Sequence, residues 1–236
     1  AACQILGPKG FTEIRAAIAS GPGAGSSSEW PLPEGKHRAT LVTKQRLTDS
    51  IWEVCFEVDE EVGDWAPGQF ARIHVGDNAW RDYSIAGIKG NQVRFLISTR
   101  TRGQGSRFVE TAEPGTHTTI ELPLGQFTAT PSDRRRVFVA TGTGLAPFLP
   151  MFATPERKHD DLMIFGCRTG KDDLTSLLPD PMPEVLRCIS REDVDGALHG
   201  RVTDALETLD FNPAETEFYL CGSSAMVADG MALLER

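Results

Sequence analysis

Long apolar runs are missing from this 236-residue chain, and none approaches the roughly 18 residues that a membrane-spanning helix needs. The amino terminus also lacks the basic start and apolar core of a secretory signal peptide. Excess positive charge is absent too, because 33 acidic residues outnumber 24 lysines and arginines and give a net charge of −9. A negative field repels phosphate backbones and anionic lipid surfaces. These absences predict a cytoplasmic protein with neither membrane nor nucleic acid among its partners.

Clustered cysteines are also lacking. The five cysteines are scattered, with no C-x-x-C pair and no neighbouring histidines that would complete a metal site. An iron–sulfur cluster needs several thiolates brought close together. The pattern therefore predicts reduced thiols, no bound metal and no iron–sulfur cluster in this chain.

The hydrophobic pattern changes along the chain and divides it into three parts. The first, residues 1–36, has Phe11, Ile14 and Ile18 at helical spacing, followed by a stretch rich in glycine, serine and proline. We interpret it as a short helix at 9–19 with a flexible linker. The interpretation of this part as the remnant of an upstream module stays open.

Residues 37–130 contain six short runs of β-branched and aromatic residues. These are RATLVTKQ, IWEVCFEV, QFARIHV, RDYSIAG, QVRFLIST and HTTIELP. Two of the intervening breaks contain Pro67-Gly68 and Gly90-Asn91, residues that favour tight turns. Six short strands at this spacing predict a six-stranded antiparallel β-barrel.

Residues 131–236 show a different pattern, in which apolar strands alternate with helix-like stretches. The apolar runs are VFVATG, LMIFG, VLRCIS and EFYLCG. Such alternation predicts an α/β domain with a parallel sheet, whose ligands bind beyond the carboxyl ends of the strands. The predicted fold is therefore two-domain, with an N-terminal β-barrel followed by a C-terminal α/β parallel-sheet nucleotide-binding domain.

A motif in the barrel region carries a family resemblance. Arg81-Asp82-Tyr83-Ser84 resembles the R-x-Y-S flavin motif of the ferredoxin-NADP reductase family. The resemblance implies that the Tyr83 ring packs on the isoalloxazine, that the Ser84 hydroxyl bonds near flavin N5, and that Arg81 pairs with the FAD pyrophosphate. These residue types suit the roles, because a guanidinium is a forked donor to a diphosphate and an aromatic face excludes water.

A second barrel motif strengthens the resemblance. The segment with Gly103, Gly105 and Ser106 is similar to the family loop that opens a short helix, whose backbone N–H groups meet the FAD pyrophosphate. The following PLGQF at 123–127 resembles the family's closing P-x-G-x-F strand, to which we assign a structural role. The barrel is thus identified as an FAD-binding domain.

The first turn of the α/β domain resembles the family's nicotinamide-binding turn. In VFVATGTGLAPF, a buried strand leads into Thr141, Gly142, Thr143 and Gly144, with Pro147 early in a helix. Glycines at such a turn let the backbone approach a diphosphate closely. Pro147 replaces the third glycine of the ordinary G-x-G-x-x-G fingerprint, which favours this family over a generic Rossmann dehydrogenase.

The last strand ends in a further family motif. Cys221, Gly222 and Met226 match C-G-x-x-x-M, and in the family this cysteine lies near the nicotinamide and the reacting flavin edge. By resemblance, Cys221 positions the hydride donor and is not a nucleophile. The residues predicted to act in catalysis are therefore Ser84, Tyr83 and Cys221, with no general acid or base.

Three arginines bear on the choice of nucleotide. Arg168, Arg191 and Arg201 lie in stretches that resemble the family's G-x-R, S-R-E and G-R-V-T-D segments, where some NADP-using members hold the 2′-phosphate. Three guanidiniums would suit that charge, so NADPH is slightly favoured over NADH. The alternative for Arg168 and Arg191 is surface ion pairing with acids such as Asp172 and Asp173.

The resemblance implies a flavin-dependent NAD(P)H reductase. A hydride would pass from NAD(P)H to FAD, and single electrons would then pass to a redox protein such as a ferredoxin, an oxygenase component or a haem protein. One alternative is the reductase portion of a larger fused iron–sulfur or haem electron-transfer protein. Another is a non-enzymatic FAD- and NAD(P)-binding subunit for assembly or sensing. Residues 134–136 are three consecutive arginines. They could form a docking patch for a partner or lie in a solvated loop, and the sequence leaves both interpretations open.

Overall fold

A computed structural model describes the greater part of the chain. The described residues are 2–6, 32, 34–129, 131–155, 158 and 160–235. The predicted helix at 9–19 and the linker after it lie outside the described residues. Contacts divide the chain into two compact units, which we call the barrel unit, residues 14–126, and the sheet unit, residues 1–13 with 127–236.

The described residues form twelve strands and four α-helices. In chain order these are β1 (Ala2–Leu6), β2 (Lys36–Arg46), β3 (Ile51–Val58), β4 (Phe70–His74), β5 (Trp80–Lys89), β6 (Gln92–Ser98), α1 (Gln104–Thr111), β7 (His117–Leu124), β8 (Arg135–Thr141), α2 (Phe148–Phe152), β9 (Leu162–Cys167), β10 (Glu184–Ile189), β11 (Leu198–His199), α3 (Val202–Thr208), β12 (Thr216–Gly222) and α4 (Ser224–Leu234). Short 3-10 helices occur at Gly142–Leu145, Gly170–Asp172 and Thr175–Leu177.

The barrel unit is a closed antiparallel barrel of six strands in the order β2-β3-β6-β5-β4-β7. Alternate residues of β3 are buried, namely Val54, Phe56 and Val58, because every second side chain of a strand faces the same side. Phe56 meets Phe95 of β6 edge-on, with 6.2 Å between ring centroids. The structure confirms the six-stranded barrel predicted from the sequence.

Tight turns connect the barrel strands where the sequence predicted them. Gly68 has a φ of 104° and Gly90 a φ of 60°, both in the left-handed region that glycine adopts without steric cost. Gly90 joins β5 to β6, so the chain reverses within two residues and the strands pair antiparallel.

The sheet unit contains a six-stranded sheet in the order β1-β12-β8-β9-β10-β11. Strands β8 to β12 pair in parallel, and β12 is buried along its whole length because both faces of the sheet are covered. Helices α3 and α4 pack on one face. On the other face, the ring of Phe138 stacks on Tyr219 at 5.0 Å and contacts Phe148 and Phe152. The predicted α/β parallel-sheet fold is confirmed.

Strand β1 is an element that the sequence analysis did not assign. It pairs antiparallel with β12, with Cys3 opposite Cys221 and Leu6 opposite Phe218. Five residues are too few to show a strand periodicity, and their partner lies more than 200 residues away in the sequence. Residues 2–6, which precede the predicted helix at 9–19, therefore form an edge strand of the six-stranded sheet.

The arginine run at 134–136 is not a solvated loop. Arg136 is 3% exposed, and its guanidinium donates to the carboxylate of Asp161, with Nε 2.9 Å from Oδ1. Arg134 pairs with the buried carboxylate of Glu217 at 2.9 Å. The solvated-loop interpretation was wrong because β8 begins inside the run, whereas a docking role for the partly exposed Arg134 and Arg135 stays a prediction. Among the described residues, no helix is long and apolar enough to cross a membrane.

Candidate cofactor sites

The predicted flavin motif lies on β5 of the barrel. Arg81 and Tyr83 are two residues apart and therefore project to the same face of the strand, while Ser84 projects to the other. Tyr83 packs against the barrel core and Ser84 is half-buried opposite Phe70 of β4. The motif thus offers a partly sheltered phenol ring beside an exposed guanidinium.

The predicted glycine loop packs directly against this motif. A Cβ atom at Gly105 would lie 2.1 Å from the Tyr83 hydroxyl oxygen and 3.4 Å from Arg81 Cγ, so only glycine fits. The Arg81 guanidinium donates from Nη2 to Oε1 of Gln104 at 2.8 Å. Two motifs about 20 residues apart in sequence therefore form one site.

The start of α1 is suited to an anion. No acidic residue lies in its first turn, and Gly103 at the N-cap has no side chain to occupy the free backbone N–H groups. Ser106 is buried, and its hydroxyl lies 3.2 Å from that of Thr101. Arg81 adds a positive charge beside this helix start through its bond to Gln104. Sequence reasoning gave Gln104 no role, since a glutamine inside a glycine loop carries no chemical signature of its own.

Burial keeps the Tyr83 ring neutral. Loss of hydration raises the pKa of its phenol from 10.0 to about 12, against an opposing effect of the Arg81 charge. The phenol is therefore protonated across the physiological range. A neutral aromatic ring is what packing on a redox-active ring requires.

The PLGQF segment supports the strand beside Ser84. Gly125 has a φ of 87°, and a Cβ atom there would lie 2.7 Å from the Phe70 ring. The Gln69 side chain donates to the Gly125 carbonyl oxygen at 3.0 Å. Because Phe70 pairs with Ser84 across β4 and β5, this segment helps to fix the position of Ser84.

The predicted nicotinamide-binding turn lies at the carboxyl ends of β8 and β12, which are adjacent in the sheet. Gly142 has a φ of 53° and opens a 3-10 helix. A Cβ atom at Gly144 would lie 2.0 Å from the Cys221 carbonyl oxygen. A Cβ atom at Gly222 would lie 2.3 Å from Thr141 Oγ1. The two turns are therefore packed together so closely that each needs its glycine.

The segments that follow β8 and β12 carry the other residues predicted to bind the nicotinamide nucleotide. Ser223 caps α4, because its side chain accepts a hydrogen bond from the Met226 N–H at 3.2 Å. The Met226 side chain also packs on Gly222, since a Cβ atom at this glycine would lie 2.5 Å from the Met226 methyl group. Pro147 is buried between the 3-10 helix and α2. Thr143 is half-buried within the turn.

Cys221 is fully buried in β12. Its sulfur lies 2.7 Å from the sulfur of Cys3 on the neighbouring strand. Burial, followed by the contact with Cys3, raises the thiol pKa well above 9.0, so Cys221 is a neutral thiol. A nucleophilic role does not suit such a group. That Cys221 positions the nicotinamide stays a prediction.

The three predicted arginines follow three adjacent strands. Arg168 comes after β9, Arg191 after β10 and Arg201 after β11, so all three lie at the carboxyl edge of the sheet. The Arg191 N–H donates to the Arg168 carbonyl oxygen at 3.0 Å, which places these two side by side. Arg168, Arg191 and Arg201 are all exposed.

Acidic residues near this edge have partners among the described residues. Asp173 accepts from Arg187, which sequence reasoning missed and which also donates to the carbonyl oxygens of Asp195 and Gly196. Glu192 accepts from the backbone N–H of Gly170. These contacts organise the loops that carry the arginines. No group of three or more potential metal-ligating side chains occurs in the described ranges.

Comparisons with known proteins agree with this arrangement. Residues 138–230 match the family model of the oxidoreductase NAD-binding domain. The anthranilate 1,2-dioxygenase electron transfer component of Acinetobacter baylyi is 40% identical over 120 residues, which are 48% of this chain and 35% of that protein. The toluate 1,2-dioxygenase electron transfer component of Pseudomonas putida is 31% identical over 173 residues, which are 68% of this chain and 52% of that protein.

Solved structures share the fold. A ferredoxin NADP+ reductase from Neisseria gonorrhoeae, with bound FAD and NADP, superposes with a TM-score of 0.76 at 19% identity, covering 86% of this chain and 92% of that one. Phthalate dioxygenase reductase gives a TM-score of 0.70 at 18% identity, covering 86% and 65%.

The closed antiparallel barrel and the parallel sheet are the fold that the ferredoxin NADP+ reductase and phthalate dioxygenase reductase structures share with this chain. The chain carries an oxidoreductase NAD-binding domain, and the resemblance of its motifs to the ferredoxin-NADP reductase family is confirmed. The chain spans about half the length, or less, of the two curated relatives named above.

Proposed function

We propose that this chain is an FAD-dependent NAD(P)H oxidoreductase that takes a hydride from NAD(P)H into FAD and passes single electrons to a redox-protein acceptor. The main support is the close packing of Gly105 on Tyr83 and Arg81, which joins both flavin motifs in one site. The match of residues 138–230 to the oxidoreductase NAD-binding domain supports the nucleotide half of the proposal.

The barrel residues fit an FAD. Arg81 and the free N–H groups at the start of α1 would hold the pyrophosphate, because both present positive charge to an anion. The neutral Tyr83 ring would cover one side of the isoalloxazine and exclude water. The Ser84 hydroxyl would donate a hydrogen bond near N5 and orient the ring.

The sheet residues fit a dinucleotide. The glycines at 142 and 144 bring the backbone close enough to accept a diphosphate at the carboxyl edge of the sheet. Thr143 and Cys221 would frame the nicotinamide, with Gly222 and Met226 fixing the position of Cys221. When bound, the flavin and the nicotinamide supply the hydride chemistry, and the protein supplies orientation and exclusion of water.

We also propose a preference for NADPH. Arg168, Arg191 and Arg201 lie at one edge of the sheet, where three guanidiniums would attract a 2′-phosphate. Replacing Arg191 by alanine should lower kcat/KM for NADPH by about tenfold or more and leave that for NADH nearly unchanged, since a lost charged hydrogen bond costs about 1.5–3 kcal/mol. Arg38→Ala, an exposed arginine on β2, is the matched control. Equal losses with both nucleotides would disprove the preference.

An oxygenase component or a ferredoxin is the acceptor class that we propose. Its support is that the two curated relatives are electron transfer components of dioxygenase systems by name. A cytoplasmic location stays a prediction from the sequence, together with the absence of membrane and nucleic-acid partners.

A second candidate is the reductase portion of a larger fused electron-transfer protein. Its support is the length of the relatives, of which this chain spans 35% and 52%. Iron and acid-labile sulfide analysis of the full gene product tests it. Stoichiometric iron and sulfide would favour the fused protein, and their absence would exclude an iron–sulfur module.

Anaerobic mixing with NADPH or NADH tests the proposed function. If the protein is a reductase, bound FAD colours it yellow. The visible flavin absorbance then disappears after mixing, because NADPH or NADH reduces the flavin. A yellow protein that keeps its colour with both nucleotides is a binding subunit for assembly or sensing and not a reductase. A colourless protein that takes up no added flavin is neither an FAD-dependent reductase nor an FAD-binding subunit.

A further inference from the structure

The neighbouring strands β1 and β12 carry a pair of thiols. Cys3 of β1 and Cys221 of β12 are directly opposite in the antiparallel register, and their sulfur atoms lie 2.7 Å apart. Residues directly opposite on antiparallel strands have Cα atoms about 4.5–5.5 Å apart. That separation lies inside the range over which a disulfide closes without backbone movement.

The two thiols differ in their surroundings. Cys3 is partly exposed on the edge strand, whereas Cys221 is fully buried and lies beneath Gly144 of the nicotinamide-binding turn. A small oxidant from solution therefore meets Cys3 first. The burial that raises the Cys221 pKa also makes direct attack on this second thiol unfavourable.

We propose that Cys3 and Cys221 are a peroxide-sensitive thiol pair that closes an intrachain disulfide between β1 and β12. The Cys3 sulfur attacks one oxygen of hydrogen peroxide, which gives a sulfenic acid and one water. The Cys221 sulfur then attacks the sulfenic sulfur, the S–S bond forms, and a second water leaves. Two thiols are oxidised by two electrons and one peroxide is reduced to two waters.

The consequence of the bond is a covalent tie between the edge strand and the strand that carries the nicotinamide-binding turn. Cys3 thereby ends as a disulfide instead of proceeding to the irreversible sulfinic acid. A dithiol reductant restores both thiols. The inference does not depend on flavin binding or on turnover, so it can fail while the proposed function holds.

Peptide mapping tests the proposal, because trypsin places every cysteine of this chain in a different peptide. Residues 1–9 carry only Cys3, and residues 202–236 carry only Cys221. The full chain is reduced, treated with hydrogen peroxide, alkylated under denaturing conditions and digested. We expect the peptides 1–9 and 202–236 to appear linked, with loss of two of the five titratable thiols and full reversal by dithiothreitol.

Two variants sharpen the test. Cys3→Ser should abolish the linked peptide, and Cys55→Ser, which removes a half-buried thiol of the barrel unit, should retain it. Recovery of peptides 1–9 and 202–236 unlinked from peroxide-treated wild-type protein overturns the proposal whether or not the variants fold. A linkage that forms only between molecules, seen as a disulfide dimer that vanishes on dilution, overturns it as well.

Discussion

Gly105 and Tyr83 are in such close contact that a Cβ atom at this glycine would lie 2.1 Å from the tyrosine oxygen. The contact joins the start of α1, which we propose binds the pyrophosphate, to the Tyr83 ring on β5. A side chain at position 105 would therefore displace the ring that we propose packs on the flavin.

Gly105→Ala is therefore expected to displace the Tyr83 ring and weaken FAD binding. Overpacking of this kind costs about 1–3 kcal/mol, and a loss of that size in binding free energy lowers the affinity about 5- to 150-fold. Flavin retention after gel filtration and titration of the apoprotein measure it. Gly63→Ala is the control, because it lies in the same barrel unit outside the proposed site and nothing lies within 4 Å of its Cβ. If both variants bind FAD equally well, the contact does not control the site.

Gly144→Ala is expected to disrupt the nicotinamide-binding turn, since its Cβ would lie 2.0 Å from the backbone oxygen of Cys221. Backbone cannot rotate away as a side chain can, so one of the two turns must shift. We expect NAD(P)H affinity and the melting temperature of the sheet unit to fall while FAD is retained. Gly63→Ala, with nothing within 4 Å of its Cβ, should change neither.

Arg136→Met is expected to destabilise the sheet unit strongly. The substitution leaves the carboxylate of Asp161, which is 0% exposed, without its charged partner, at a cost of about 3–5 kcal/mol. Chemical denaturation measures the change. Removal of an exposed pair by Arg46→Ala should cost only about 0–1 kcal/mol. Similar costs for the two variants would contradict the assignment of the Arg136 pair to the core.

The fold was predictable where the pattern is local. Six short runs of β-branched and aromatic residues predicted the barrel, and apolar strands alternating with helix-like stretches predicted the parallel sheet. Strand β1 was not predicted, because Ala2–Leu6 pairs with β12, more than 200 residues away, and this pairing leaves no local pattern in the sequence. The burial of Arg136 was missed for a related reason, since it depends on an ion pair with Asp161, 25 residues further along the chain.

The site was predictable as a set of residue types but not as contacts. Arg81, Tyr83 and Gly105 were identified by their motifs, yet their mutual packing and the bond from Arg81 to Gln104 required the structure. The roles assigned to Ser84, Cys221 and the three arginines of the sheet edge stay predictions.

The Tyr83 phenol is expected to make the barrel unit sensitive to alkaline pH. Its pKa is about 12 in the folded protein and 10.0 when exposed, so the unfolded state loses its proton first. Stability is unaffected below pH 10 and falls as the pH rises from 10 towards 12. The difference in phenolate absorbance between wild type and Tyr83→Phe isolates this group. A midpoint at pH 10 in protein that is still folded by circular dichroism would refute the burial of the phenol.

The pairing of β1 with β12 has a consequence for biosynthesis. Strand β1 precedes the barrel strands in the sequence and its partner β12 follows them, so the whole barrel is synthesised between the two partners. The six-stranded sheet therefore cannot be completed until β12 has been made, whereas the barrel, whose strands β2 to β7 are contiguous in sequence, can close before then.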